Sequence, residues 1–412
     1  MTKPLTILTL AVAFLLVLGQ SVHAQTFAVL YSFQGGTDGA NPDGVLLRGG
    51  AGDLYGTTST GGELGSNGRC SRDGGCGTVF KLNPAGKETV LHRFNLESGG
   101  GRGAYPVGGV LRDAAGNLYG TASGGGYFTC RSSAGCGLIF ELDRAGKETV
   151  LRYFRHTGRG YAPAGLVRDS AGNFYGVAGG GYCGRSCGLV YELKTNGVQA
   201  ILHFFEGGSD GLYPTPGLTL DKAGDVYGTT DIGGGTACGG VGCGTVYKIN
   251  KNHKETVLYS FAGGSDGSYP AGLVADQAGN LYGVTSAGGG TGCGGSGCGT
   301  VFKISANQKE RVLYRFSGGA DGANPDTVLV RDHAGNLYGT TAAGGSGSGT
   351  VFMLDKAGVE TVLHSFTGGT DGGNPEAGLV RDATGALYGT ASIGGGTGCG
   401  GSGCGVVFKI TP

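Results

Sequence analysis

The chain has no tryptophan and only 2 methionines in 412 residues. Charged residues make up 15%, and 30 basic side chains balance 30 acidic ones. Zero net charge without a basic run leaves no electrostatic footprint for nucleic acid or anionic lipid. There is no G-X-Y period, which excludes collagen despite 94 glycines. Catalytic signatures are also missing. No HExxH pair, no GxSxG elbow ahead of a helix and no Gly-rich loop ending in GK[ST] occurs. The recurring apolar segments are too short and too irregular for helices.

What is present is apolar and aromatic. The hydrophobic fraction is 39%, with 19 Tyr and 17 Phe, too rich for a disordered chain. At the N-terminus Lys3 precedes an apolar run, Leu5 to Gly19, and Val22-His23-Ala24 offers small residues for cleavage. This reads as a secretory signal over residues 1–24, leaving one domain over 25–412. The run is shorter than the roughly 20 residues that span a bilayer, and no later stretch approaches that length. The expected location is therefore outside the cytoplasm: extracellular, at the cell surface or in the periplasm.

Internal repetition dominates the remainder. An apolar residue followed by Tyr-Gly recurs at Tyr55, Tyr119, Tyr175, Tyr227, Tyr282, Tyr338 and Tyr388, spaced 50 to 64 residues apart. Each unit holds four strand-like segments. The first follows a proline, as in Gly165-Leu166-Val167-Arg168-Asp169. The second carries the Tyr-Gly, the third resembles Gly299-Thr300-Val301-Phe302-Lys303-Ile304, and the fourth resembles Glu255-Thr256-Val257-Leu258-Tyr259-Ser260-Phe261. Tight turns such as Asp113-Ala114-Ala115-Gly116-Asn117 join neighbours, which predicts antiparallel meanders. Pairs such as Val190-Tyr191 are apolar on both sides, as in sheets stacked face to face. The segment 28–33 is a fourth segment without its unit, and the chain ends on a third segment, Val406 to Ile410. A ring balances these ends; an open solenoid, such as a parallel β-helix, would need polar caps. The fold expected is an all-β, seven-bladed propeller of four antiparallel strands per blade, closed by the N-terminal strand completing the last blade.

The unit Gly-Gly-x-Asp-Gly-x-x-Pro, Asp-x-x-Gly-Asn-Leu-Tyr-Gly-Thr-Thr, Gly-Thr-Val-Phe-Lys-Leu, Glu-Thr-Val-Leu-Tyr-Ser-Phe resembles the GloVer-type tandem repeat of secreted bacterial proteins, also described as extracellular repeats of the HAF type. The resemblance covers about residues 27–410. It implies secretion and a repeat fold. It implies no reaction and no catalytic residues.

Cysteines pair locally: Cys70 with Cys76, Cys130 with Cys136, Cys183 with Cys187, Cys238 with Cys243, Cys293 with Cys298, and Cys399 with Cys404. Every pair lies between a second and a third segment. Local pairing in a secreted chain predicts six disulfides. A metal would need about four ligands in one small volume, and each loop offers two. Up-and-down strands place the short turns at one end, and the Gly/Cys-rich loops with the fourth-to-first connections at the other. This long-loop face is the candidate binding surface.

Two residue sets on it are candidates. The connection acids Asp38, Asp210, Asp266, Asp321 and Asp371 suit turn capping. Two runs also offer several oxygens to calcium, the one cofactor considered: Asp38, Asn41 and Asp43, and Asp321, Asn324 and Asp326. Tyr105, Tyr127, Phe128, Tyr161, Tyr182 and Tyr213 lie in or beside the irregular long loops and suit carbohydrate stacking or a protein contact. His92, His203 and His364 take matching places in fourth segments, which favours a structural use. The expected function is a non-enzymatic binding or scaffold module for a protein or polysaccharide. The alternative is a lyase or hydrolase with acids and His converging in the central funnel.

Overall fold

The structure is a computed structural model and describes residues 25–63, 70, 74–96, 102–128, 130, 134–155, 160–180 and 187–411. The expected signal, residues 1–24, lies outside them.

Seven antiparallel sheets are arranged as the blades of a propeller. Blade 5 shows the plan: Ser268–Ala275 innermost, then Leu281–Ala287, Thr300–Ile304 and, outermost, Glu310–Arg315. The only helical segments among the described residues are single 3₁₀ turns. The ring closes as the unbalanced ends required. Thr26–Ser32 pairs antiparallel with Val406–Thr411, from Thr26 opposite Thr411 to Ser32 opposite Val406. It thereby completes blade 7 beside Leu387–Ala391 and Val380–Arg381. A linear solenoid is excluded by this pairing.

The seams between blades repeat a small set of contacts. The third-strand ring of each blade (Phe80, Phe140, Tyr191, Tyr247, Phe302, Phe352, Phe408) is fully buried. Each meets a phenylalanine from the exit of the preceding outer strand at 4.9–5.3 Å between centroids. Edge-on and tilted aromatic pairs of this kind add roughly 0.5–1.5 kcal/mol each beyond area burial. A second contact joins a glycine at the start of the third strand to the next blade's proline. A side-chain carbon on Gly77, Gly137, Gly188, Gly244, Gly299, Gly349 or Gly405 would fall within 2.7 Å of the ring of Pro106, Pro163, Pro214, Pro270, Pro325, Pro375 or Pro42 respectively. No other residue permits so close an approach.

Within blades, the Asp that opens the first turn does more than cap it. Tyr119 Oη donates to Asp113 at 2.9 Å, and Tyr175, Tyr227, Tyr282, Tyr338 and Tyr388 do the same to Asp169, Asp221, Asp276, Asp332 and Asp382 at 3.1 Å. Burial opposes ionisation of Asp113, Asp169, Asp276, Asp332 and Asp382. Hydrogen bonds from the turn and the phenol outweigh it and hold these carboxyls below the usual range. Blade 1 has Gly49 where the Asp would stand; Arg112 of blade 2 covers the Tyr55 ring at 5.6 Å, as the next blade's Arg also does over Tyr119, Tyr282, Tyr338 and Tyr388.

One expectation holds in only three blades. The inner strand begins after the proline in blades 1, 6 and 7, whereas in blades 2 to 5 it starts before it and is interrupted. In blades 2 and 5 a register shift falls mid-strand, between Val107 and Val110 and between Ala271 and Val274. In blade 4 the strand splits into Leu212–Pro214 and Thr219–Leu220. The proline itself is still paired; the chain leaves the ladder just after it, at glycines of positive φ such as Gly108, Gly217 and Gly272.

Tyr191 and Tyr247 stand where five blades use Phe, and both hydroxyls are buried with no hydrogen-bond partner. An unpaired buried hydroxyl costs about 1–3 kcal/mol. Tyr191→Phe and Tyr247→Phe should therefore each raise the unfolding free energy, by about 1 kcal/mol. Urea titration of the variants checks this; a loss of stability would mean that the hydroxyls are satisfied.

Candidate functional site: the axial mouth on the disulfide face

Five disulfides are described, linking Cys70–Cys76, Cys130–Cys136, Cys238–Cys243, Cys293–Cys298 and Cys399–Cys404 with Cα separations of 5.2–5.4 Å. Cys187 is also disulfide-bonded, while its expected partner Cys183 lies outside the described residues. The bridges sit on the outgoing connections. A side-chain carbon on Gly263 would touch both sulfurs of the Cys238–Cys243 bridge at 3.1 Å, and one on Gly318 both sulfurs of Cys293–Cys298 at 2.6 Å. Long loops and connections therefore share one face, as the strand order predicted.

That face is wired to the axis. The backbone N–H of Tyr105 donates to Cys76 O, Ala162 to Cys136 O, Tyr269 to Cys243 O, Asn324 to Cys298 O and Asn41 to Cys404 O, all at 2.8–2.9 Å. Asn374 reaches Ser348 O in the same way in blade 6, which has no bridge. Each donor is the residue before the inner-strand proline. All seven such residues, Tyr213 included, have left-handed φ between 46° and 59°. That conformation costs a non-glycine residue roughly 1–2 kcal/mol, least for Asn. The seam with the neighbouring loop holds it in place.

The residue after each proline points the chain inward. Beyond it the axis narrows to a waist of small residues, among them Val45, Gly108, Gly165, Gly217, Gly272 and Val328. A side-chain carbon on Gly108 would come within 2.8 Å of Gly165 Cα, and one on Gly272 would collide with Val328. The axial cavity has a volume of about 760 Å³. The waist is nearly sevenfold; the mouth above it is not. After the proline stand Asp43, Asp326 and Glu376 in blades 1, 6 and 7, which are neighbours in the ring, against Val107, Ala164, Thr215 and Ala271 in the other four. Asp231, Ser286, Thr327, Tyr175 and Tyr269 also line the cavity.

The acids are electrically strained. Burial pushes the Asp43 carboxyl up to about 6, with the Glu376 charge adding to it and a hydrogen bond with Ser59 opposing. Burial likewise lifts Asp326 to about 6, again with Glu376 contributing. Asp231 is raised by burial alone. Asp43 Oδ1 is buried without a partner. This mouth can accept hydrogen bonds from hydroxyls or an ammonium group, and its tyrosine rings offer stacking faces.

The expected calcium sets are divided by the fold. Asp38 accepts from Tyr31 Oη and the Gln34 N–H, both at 2.9 Å, and Asp321 from Tyr314 Oη at 3.0 Å and Ser317 Oγ at 2.6 Å. Both are committed to the outer strand, whereas Asp43 and Asp326 go to the axis. Asn41 and Asn324 spend their amides on Ser392 O and Ser286 O. Among the described residues no three His, Cys, Asp or Glu side chains gather closely enough to hold a metal ion.

The expected aromatics do not form one patch either. Tyr105, Tyr161 and Tyr213 belong to inner strands, not loops. Tyr105 and Phe128 are half-buried against the core between blades 1 and 2, and Tyr161 against that between blades 2 and 3. Tyr213 is 40% and Tyr127 37% exposed, the latter under the Arg155 guanidinium at 4.0 Å. Tyr182 lies outside the described residues. Tyr105 and Tyr213 do share a role, since with Tyr269 they occupy the left-handed position around the mouth. Sequence reading missed Tyr269, Glu376 and Asp231. Comparing only the two residues that flank each repeat's proline would have found the first two.

A family model described as the Gloeobacter/Verrucomicrobia repeat matches residues 127–295 and 241–412. No curated protein matches the sequence. Among solved structures, the extracellular domain of a proposed one-component system from B. thetaiotaomicron is similar with a TM-score of 0.55 and 14% identity, over 93% of this chain and 42% of that one. A luciferin-regenerating enzyme gives a TM-score of 0.45 at 14% identity, over 94% and 95% of the two chains. A Xanthomonas campestris gluconolactonase gives 0.41 at 14%, over 94% and 89%. At such identity these likenesses bear on the fold alone.

The mutual influence of the mouth acids is measurable. Glu376→Gln should lower the titration midpoints of both Asp43 and Asp326, because it removes a charge that raises each. Carboxyl NMR titration reads this directly; unchanged midpoints would show that the three do not share one field.

Proposed function

The chain belongs to the Gloeobacter/Verrucomicrobia repeat family, and we propose that it is a secreted, non-enzymatic binding module whose ligand, a polysaccharide or a protein, docks on the disulfide face over the axial mouth. One observation carries this reading. The backbone that builds the mouth repeats in every blade, while the side chains that line it do not: acids occupy blades 1, 6 and 7, against Val107, Ala164, Thr215 and Ala271 in the other four, with Tyr269 added from blade 5. Departure from the repeat at a concave, rigidly held place is where recognition is concentrated. Bridged loops limit the entropy lost on docking. Disulfides in six loops fit an oxidising compartment, and among the described residues no helix is long and apolar enough to cross a membrane.

A second reading is supported by the raised Asp43 and Asp326. Carboxyls titrating near 6 suit general acid or base work, so a lyase or hydrolase acting in the funnel is the alternative.

Glycan arrays and pull-downs with the purified chain test the first reading. Saturable binding should weaken by about tenfold or more in Asp43→Asn/Asp326→Asn/Glu376→Gln and in Tyr269→Ala, the scale of a central contact, with circular dichroism unchanged. Uniformly negative arrays and pull-downs would overturn it. Turnover of a bound glycan, lost in Asp43→Asn while binding persists, would establish the enzyme instead.

A further inference from the structure

The axial cavity joins two chemically different halves. Past the waist, two or three residues further along the inner strands, it is lined by Leu47, Leu111, Val167 and Val330, each half-buried. At the mouth stand four acids, Asp43, Asp231, Asp326 and Glu376, and no Lys, Arg or His lines any part of the cavity. Its volume of about 760 Å³ lies within the roughly 300–1,000 Å³ of small-molecule sites. An apolar interior with anions at one end and no counter-charge is the complement of a cation carried on an apolar body.

Asp231 shows that this charge is not a by-product of the frame. In blades 1, 2, 5 and 7 the equivalent residue is a serine, and its hydroxyl donates to the carbonyl of the residue before the proline. Ser59 donates to Asn41 O, Ser123 to Tyr105 O and Ser392 to Asn374 O at 3.1 Å, and Ser286 to Tyr269 O at 3.4 Å. In blade 4 the ladder runs from Leu212 opposite Ile232 to Pro214 opposite Thr230, which sets Asp231 opposite Tyr213. A carboxylate has no proton to give to the Tyr213 carbonyl. The frame therefore loses a hydrogen bond there, and two acceptors share one place in the register. Burial alone bears on the Asp231 carboxyl, with no hydrogen bond or charge among the described residues to offset it. Across the ring, Oδ1 of Asp43 is also buried without a partner, and Glu376 accepts from Asn374 Nδ2 at 2.9 Å through one oxygen. Blade 4 stands opposite blades 7 and 1, so the mouth is acidic on two facing sides.

We infer that the axial cavity binds a small organic cation, a protonated amine on an apolar body, with its ammonium group among the acids of the mouth and its apolar part directed through the waist toward Leu47, Leu111, Val167 and Val330. An ammonium group brings three N–H donors, which is what Asp231, Asp43 and the Tyr213 carbonyl lack. The Tyr269 ring at the same mouth offers a face for the charge. A metal ion fits less well, because it needs several ligands in one small volume, and among the described residues no three acids gather so closely. A sugar fits less well too, since Tyr175 and Tyr269 are the only rings lining the cavity on which it could stack. The inference goes beyond the docking of a polysaccharide or protein and needs no polymer.

Calorimetric titration of the purified chain with hexylammonium, 1-hexanol and hexanoate at about pH 8 tests it. There an alkylamine is still protonated, and carboxyls lifted to about 6 are ionised. Hexylammonium should bind saturably and about tenfold or more tightly than hexanol, the scale of one charge-assisted hydrogen bond, and hexanoate should not bind. Asp231→Ser installs the residue that four other blades use at this place. It should unfold at a temperature no lower than that of the unmodified chain, yet bind hexylammonium about fivefold or more weakly. Asp43→Asn/Asp326→Asn/Glu376→Gln should weaken binding further.

Equal affinity for hexylammonium and hexanol, or no binding of either, overturns the inference. So does unchanged affinity in Asp231→Ser, which would mean that Asp231 carries its own proton for the Tyr213 carbonyl. Methylammonium binding as tightly as hexylammonium would remove the apolar half of the site, and glucosamine binding more tightly would assign the ammonium to a sugar; either result overturns it. Positive glycan arrays without hexylammonium binding would sink this inference and leave the docking reading standing. Hexylammonium binding with negative arrays and pull-downs would do the reverse. If Asp231→Ser does not fold, the comparison of the three probes and the threefold variant decide.

Discussion

The contact on which the ring depends is a glycine against a proline. Seven times, the first residue of a third strand must lack a side chain so that the next blade's proline can lie against its backbone. Just past the proline, glycines of positive φ such as Gly108, Gly217 and Gly272 take the inner strand out of its ladder. The residue ahead of the proline is driven into a left-handed conformation and gives its N–H to the neighbouring loop. One steric fit therefore sets the blade spacing, the inward turn of the chain and the attachment of the outer loops to the axis. The disulfides close loops whose last cysteine carbonyl is already an acceptor in this arrangement, so the bridges restrain the rim of the mouth as well as the loops themselves.

Against that constancy, the variable positions stand out. Glycine at the waist, phenylalanine at the seams and Tyr–Asp pairs within blades all serve the frame. The residues after the proline are less bound by it, because they line the channel. Acids gather in three neighbouring blades there, and their mutual repulsion is tolerated at the open end of the axis.

Much of this was legible in advance. The Tyr-Gly spacing and the unmatched end segments specify the number of blades and the manner of closure, because a sheet edge left open is costly whatever the detailed sequence. Local cysteine pairs could be read because a five- or six-residue separation already brings them within bridging distance. The site was less legible. Asp38 and Asp43 look like one oxygen-rich run, yet the turn at Asn41 and the proline after it leave Asp38 on the outer strand and carry Asp43 to the axis. Tyr105 and Phe128 look exposed because their surroundings are glycine-rich, yet both pack on the core between blades.

The seal between Thr26–Ser32 and Val406–Thr411 also has a temporal meaning. Of the ring's strands, the one that leaves a ribosome first has no partner until the last has emerged. Until then blade 7 is an unfinished sheet, and its ladder of free N–H and C=O groups is open to any extended neighbour. Six blades can assemble from contacts within about one repeat, but the seventh draws together residues from the two extremes of the polymer, the slowest kind of contact to form. Nascent copies crowded together would be prone to trading this strand, so the hazard of a domain-swapped chain of rings is built into the same joint that makes a single finished ring so well sealed.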